Sequence, residues 1–263
     1  MSAIAFIVSE SEGLERNVGP EEWATRVELA ALYRLTALHG YDDFLYTHIS
    51  ARIPGPDRHF LLNPFGLYFS EVTASNLVKI DLDGNVLQGE HGINYAGFVI
   101  HSAIHAARED ARFVAHFHTD DGVAVSSQKE GLLPLNQRAL ALLPRLAYHD
   151  YEGVALNLDE RARLVADLGE KSLLLLRNHG TLALGATAVR TWLDIWSLER
   201  AATAQIRTLS AGRENVLIAP EVAQAEVARQ LERLGDDFIA NHDRLAWAAL
   251  LRRLDRELPG YDS

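Results

Sequence analysis

Cysteine is absent from the 263-residue chain. That removes disulfides, thiolate nucleophiles and cysteine-ligated zinc from the available chemistry, and it is compatible with a reducing compartment. Basic residues are in the minority: 25 Lys and Arg stand against 36 Asp and Glu, a formal net charge of −11, and no Lys/Arg cluster interrupts that balance. Nucleic acid is therefore not an expected partner, because phosphate backbones are bound through a basic stripe. Long apolar runs are missing too: no window approaches the roughly 18 apolar residues of a membrane-spanning helix. The opening MSAIAFIVSESEG has no basic segment before its short apolar stretch, so no secretory signal is expected. What the chain does have is 48% hydrophobic residues, enough for a substantial core. The expectation is a soluble, cytoplasmic, globular protein independent of membranes.

No internal repeat or low-complexity linker divides the sequence, so residues 1–19 are read as an arm and 20–263 as one domain. GPEEWATRVELAALYRLTALHG places Pro20 at a helix start, acidic residues in the first turn and Gly40 as a stop, predicting a helix over 20–39. FLLNPFGLYF reads as strand, tight turn, strand, and LVKIDLDGNVLQG as a hairpin about Asp83-Gly84. Helical patterns recur over 95–108, 188–209 and, as two helices, 221–257. Strands with short turns between a leading helix and trailing ones point to a sheet covered on both faces.

Histidine carries the chemical signal. In RFVAHFH the side chains alternate, sending Phe113, Ala115 and Phe117 to one face and Val114, His116 and His118 to the other. Two imidazoles leaning together from such positions can meet on one ion at about 2.0–2.1 Å each. A metal-binding arm and a pair of hydrogen-bonded structural histidines both satisfy this stretch. His179 follows a fully apolar strand in LLLLRNHGTLALG, where ordinary turn chemistry also explains Asn178-His179-Gly180. Together the three histidines match the ligand count of an open metal site. His101 and His105 lie one helical turn apart without an intervening glutamate base and are read as core or interface residues. His48, in YTHIS, follows a Tyr- and Asp-rich loop and is a candidate cleft residue.

The ordered segments THISAR, HFLLNPFGL, EVTASNLVKIDLDGNV, GINYAGFVIHSAIHAAREDARFVAHFHT and LLLRNHGTLALG, spanning Glu28 to Leu209, resemble the class II aldolase/adducin family, its adducin-like branch above all. The resemblance implies a three-layer αβα domain with a largely antiparallel central sheet. It also implies a homotetramer with interfacial active sites, and a divalent metal, zinc foremost with iron or manganese as alternatives, on His116, His118 and His179.

Elsewhere the chain departs from the sugar-phosphate aldolases of that family. Their acid/base glutamate corresponds to Gly97, their phosphate-binding Thr-Gly turn to Asn63-Pro64-Phe65-Gly66, and their serine pair to Tyr95 and Ala96. Their Gly-Asn turn corresponds to Thr47-His48, and the tyrosine contributed by a neighbouring subunit to Gln137 or Arg138. Losing hydroxyl donors makes a phosphate dianion a poor guest. The expected activity is that of a metal-dependent carbon–carbon lyase, decarboxylase or aldolase-type, acting on a small non-phosphorylated oxo- or hydroxy-acid. His48, with an ordinary pKa near 6.5, is the expected proton carrier, and Asn63 and Gln137 are expected neutral donors to a carboxylate. Two alternatives stand beside it: an Fe(II)-dependent oxidative decarboxylase or oxygenase, and a non-catalytic adducin-like assembly domain. AYHDYEG (147–153) is read as a surface loop with the composition to line a pocket, and the tail around Tyr261 is expected to fray.

Overall fold

Pro20 opens the first helix, α1 (Pro20–His39), where its missing N–H goes unused, and Glu21 and Glu22 sit at the positive end of the helix dipole. Gly40 closes it at φ 64°, donating its N–H to the Ala37 carbonyl from a left-handed conformation that suits glycine. The computed structural model describes residues 14–15, 17–154, 157–233 and 235–263; most of the expected arm lies outside them.

Eight strands follow among the described residues: β1 (His48–Arg52), β2 (Phe60–Leu62), β3 (Val78–Ile80), β4 (Val86–Gln88), β5 (Phe113–Phe117), β6 (Leu146–His149), β7 (Leu173–Leu176) and β8 (Gly180–Gly185). They form one sheet in the order β4-β3-β2-β1-β5-β8-β7-β6, antiparallel throughout except for the parallel β6–β7 pair. On one face Phe113, Ala115 and Phe117 pack with α1 and with α6 (Ala188–Ser210), chiefly through Leu29, Leu32, Trp192 and Ile195. On the other, Val114, Leu182 and Leu184 meet Ile100 and Ile104 of α2 (Tyr95–Ala107) and Leu164 and Leu168 of α5 (Glu160–Leu168). Two short helices, α3 (Asp120–Ser126) and α4 (Gln137–Leu142), lie between β5 and β6, and α7 (Pro220–Arg233) and α8 (Asp236–Glu257) follow α6. The fold is the three-layer αβα arrangement with a largely antiparallel sheet. Coverage of both faces explains the unbroken Leu173–Leu176 run, whose alternate residues enter opposite cores.

Three local expectations are corrected. The second strand expected after the Asn63–Gly66 turn is a single 3₁₀ turn, Phe69–Glu71. Phe69 is drawn into the core edge-on to Tyr33 (centroids 4.6 Å apart), and the Glu71 carboxylate accepts the Tyr68 N–H at 2.8 Å. The first three residues of the expected surface loop, 147–149, lie instead in the edge strand β6, paired with β7. The tail is tied down: the Tyr261 carbonyl accepts from the Ala74 N–H, and the buried Tyr261 ring carries a hydroxyl bonded to Asp255 at 3.0 Å.

Candidate metal centre and cleft

The central strands β1, β5 and β8 bring the chemistry together. His48 lies opposite His116 in the β1–β5 register, and β5 pairs with β8 so that Phe117 faces Thr181. His118 leaves the end of β5 beside the β7–β8 turn, where Asn178 holds a left-handed conformation (φ 56°) and presents His179. Gly180 makes this approach possible: a Cβ there would lie 2.2 Å from the Phe117 carbonyl oxygen.

The three imidazoles converge. His116 Nε2 is 2.9 Å from His118 Nε2 and 3.2 Å from His179 Nε2, and one nitrogen from each ring lies within 4.8 Å of the others. The outer partners show which nitrogen carries hydrogen. His116 Nδ1 donates to the Thr181 carbonyl at 2.9 Å, and His118 Nδ1 to the Asp43 carboxylate at 3.1 Å. In the neutral rings both Nε2 atoms are then bare, so their 2.9 Å approach sets two lone pairs facing each other. A shared cation relieves that repulsion. Two metal–nitrogen bonds of about 2.0–2.1 Å at a tetrahedral angle separate their nitrogens by roughly 3.4 Å, near the spacing seen. Burial, and next the His118 and His179 neighbours, hold His116 well below the usual histidine range; burial pushes His179 down to about 4. Both are neutral at pH 7, the form that can ligate. The residues fit a divalent ion.

The trio borders a cleft of about 480 Å³ whose walls include Tyr46, Tyr95, Tyr151 and Asn178. Among the described residues no Lys or Arg lines it. His48 is also in its wall, buried, with its pKa driven down to about 3 by burial first and then by His118 and His179. It is therefore a neutral imidazole, displaced from the ordinary value its sequence context suggested.

His48 and Gly97 are sterically matched. A Cβ on Gly97 would come within 2.5 Å of the His48 ring, so the imidazole occupies the space a side chain there would need. Helix propensity alone favours Ala over Gly by about 1 kcal/mol in α2. The collision with a buried, hydrogen-bonded ring opposes this, and Gly97→Ala is expected to destabilise by about 1–3 kcal/mol net. A thermal melt checks this; a raised midpoint would mean that His48 moves aside freely.

The remaining expected site residues lie apart within one chain. Asn63 is buried, its amide oxygen accepting from the Tyr33 hydroxyl at 2.9 Å. Gln137 stands at the start of α4 in a separate groove with Arg138 and Arg200. Two contributors had no readable sequence signal as site residues. Asp43 orients His118, and Glu199 on α6 accepts hydrogen bonds from the Thr119 and Thr181 hydroxyls, joining the segment after His118 to the one after His179.

The family model described as Class II Aldolase and Adducin N-terminal domain matches residues 27–206. A Caulobacter vibrioides protein whose name places it with the class 2 aldolases is 62% identical over 249 residues, covering 94% of this chain and 95% of its own. Alpha-adducin of Rattus norvegicus is 44% identical over 199 residues, which is 73% of this chain and 27% of that protein. The crystal structure of an aldolase II superfamily protein from Pseudomonas syringae superposes with a TM-score of 0.87 at 51% identity, covering 95% of this chain and 99% of that one.

Proposed function

Because the chain belongs to the class II aldolase and adducin family, we propose that it is a divalent-metal-dependent carbon–carbon lyase acting on a small, non-phosphorylated oxo- or hydroxy-acid. The observation that carries this reading is the set of convergent histidine nitrogens bordering a cleft that, among the described residues, has no cationic side chain in its wall. His116, His118 and His179 would hold the ion, and when bound it supplies Lewis acidity to the oxygens of a chelating acid. Zinc is the metal we assign first, with iron or manganese as alternatives.

The chain's own groups account for the rest. Among the described residues no Lys or Arg of this chain stands in the wall, so the cleft offers a phosphate dianion no cationic side chain of its own. Tyr46, Tyr95 and Tyr151 offer flat, partly apolar walls that suit a compact or aromatic acid and displace water from it. Gly97 brings no carboxylate, so His48 is the nearest group of this chain that can accept a hydrogen bond from a substrate hydroxyl in retro-aldol cleavage, and its lowered basicity leaves it a weak acceptor of the proton itself. Decarboxylation needs no such acceptor at the start, because the leaving group is carbon dioxide. In the homotetramer we infer, Gln137 reaches the cleft from a neighbouring copy and serves as a neutral donor to the substrate carboxylate. Asn63, buried against Tyr33, does not line the cleft and keeps only a supporting place behind it. The −11 charge, the lack of cysteine and the lack of any helix long and apolar enough to cross a membrane among the described residues support a cytoplasmic setting without nucleic-acid partners.

Zinc-loaded protein incubated with a panel of 2-oxo, 2-hydroxy and ortho-hydroxy aromatic acids is expected to release carbon dioxide or an aldehyde from at least one, and to stop when the metal is chelated. A panel left wholly unchanged overturns the lyase reading. Turnover with iron that consumes oxygen, and is absent with zinc, replaces it with oxidative decarboxylation. The 44% identity to alpha-adducin favours a second reading, a non-catalytic assembly domain. Protein that purifies without a divalent ion and gains no thermal stability on adding one would support that alternative.

A further inference from the structure

Behind His48 a line of polar side chains runs from the cleft into the core. His48 Nδ1 is 2.9 Å from His101 Nε2, and His101 Nδ1 is 2.5 Å from Ser50 Oγ. Ser50 Oγ is in turn 2.7 Å from His105 Nε2, and His105 Nδ1 is 2.9 Å from the Ala111 carbonyl oxygen. All four side chains are buried. The spacing of both segments aligns them: His48 and Ser50 are two apart on β1, and His101 and His105 four apart on α2, so each pair shares a face.

The direction of every bond follows from the far end. A carbonyl only accepts, so His105 donates through Nδ1, and the neutral ring's Nε2 must accept. Ser50 has one hydrogen and gives it to His105, which leaves its oxygen to accept from His101 Nδ1. His101 Nε2 is then bare and accepts from His48 Nδ1. No other arrangement of neutral rings satisfies all four contacts.

The near end is open. Among the described residues, His48 Nε2 has no hydrogen-bond partner, and the sole fully buried side-chain nitrogen or oxygen lacking one is Arg52 Nε. Nε2 therefore reaches the cleft that His48 lines. A hydrogen-bonded line of this kind could conduct protons or hold a tautomer. Its inner end decides which. It stops on a carbonyl that cannot take a proton, beside the Arg52 guanidinium, which donates to the His105 and Arg108 carbonyls and would repel a charged imidazole.

We propose that the Ala111 carbonyl, acting through His105, Ser50 and His101, locks His48 as its Nδ1–H tautomer and so presents the bare Nε2 to whatever occupies the cleft. Ser50, His101 and His105 are positioning residues, and the lock involves no change of protonation. The use made of Nε2 rests on the lyase reading; the tautomer does not.

The test reads the tautomer directly, by two-bond proton–nitrogen correlation spectra of the full chain, zinc-loaded and carrying ¹⁵N-histidine, with His48 assigned by its loss in His48→Gln. The wild type is expected to show His48 protonated at Nδ1 alone. Ser50→Ala breaks the line at its middle and is expected to shift the His48 tautomer ratio toward Nε2–H by about five- to tenfold, the worth of one net hydrogen bond. Ser50→Thr keeps the hydroxyl and is expected to restore the wild-type spectrum. Zinc content is expected to be unchanged in both variants, since the line does not touch the trio, and a purely structural role for Ser50 would not separate them this way. A wild-type His48 carrying hydrogen on Nε2, or a Ser50→Ala variant with its tautomer ratio unmoved, overturns the proposal. A locked His48 in a protein that turns over none of the acids supports the lock and sinks the lyase reading.

Discussion

His118→Ala is expected to purify with less than about a tenth of the divalent metal carried by the wild type, while remaining folded. Losing an outer partner of a metal-binding histidine already weakens a site 10–100-fold, roughly, and removing the ligand itself should exceed that. The fold should survive because the His118 side chain is about one-fifth exposed at the end of β5, outside the hydrophobic clusters. His116→Ala would also empty the site, but it cuts a fully buried side chain out of the sheet and confounds the two effects. Elemental analysis reads the metal, and thermal melts with added zinc give an independent measure. A ligand at 100 times its dissociation constant stabilises the native state by about 2.7 kcal/mol, a gain the variant should lack. Asp43→Asn, which keeps the shape of the His118 partner and removes its charge, should fall between the two. Full metal content in His118→Ala would mean that the converging nitrogens are not the site.

Glu199→Gln is expected to flatten part of the protein's pH–stability profile and to make the protein more stable than wild type at pH 8. Burial pushes the Glu199 carboxyl up to about 7 from 4.5, more than the Thr119 and Thr181 hydroxyls pull it down. Between those pH values the folded protein keeps a proton that the unfolded chain has shed, so this group's stabilising contribution is complete below about 4.5 and is lost as pH rises through 7. At 1.36 kcal/mol per unit the interval is worth about 3 kcal/mol. The buried neutral histidines have the opposite slope: their folded-state values are lowered, so stability from them grows with pH up to about 6.5. Only the difference between variant and wild type isolates Glu199. Urea unfolding at pH 5 and pH 8 measures it, and equal pH dependence in both proteins would place the ionised carboxylate in the native state throughout. Glu199→Leu provides the structural counterpart: it removes the bridge joining the segments that carry His118 and His179, and should weaken metal binding about 10–100-fold.

The two predictions draw on residues of very different visibility. His116 and His118 were recognisable because strand periodicity operates over two residues, so their common face required no knowledge of the rest of the chain. The same holds for α1, whose proline start and glycine stop are adjacent chemical events, and for the alternation that predicted which of Phe113–His118 entered which layer. The strand expected after Asn63 failed for the opposite reason: the burial of Phe69 against Tyr33, a residue on another element, outweighed a pattern favourable to extended backbone. His101 and His105 show the boundary within one helix. Their shared face followed from spacing, but their hydrogen-bonding partner Ser50 belongs to a strand about fifty residues earlier.

The amino-acid order by itself determined which segments are helix or strand near the site, that two imidazoles share a face, that no thiol or basic stripe contributes, and that no carboxylate stands at position 97. The resemblance to a known family had already grouped His179 with those two; tertiary structure alone decided how the β7–β8 turn delivers it, that Asp43 and Glu199 brace the group, and that His48 fills the room above Gly97. The reason is physical range: side-chain direction along one element depends on its own dihedral angles, whereas meetings across β1, β5 and β8 depend on strand pairing and register set by the packing of the whole sheet.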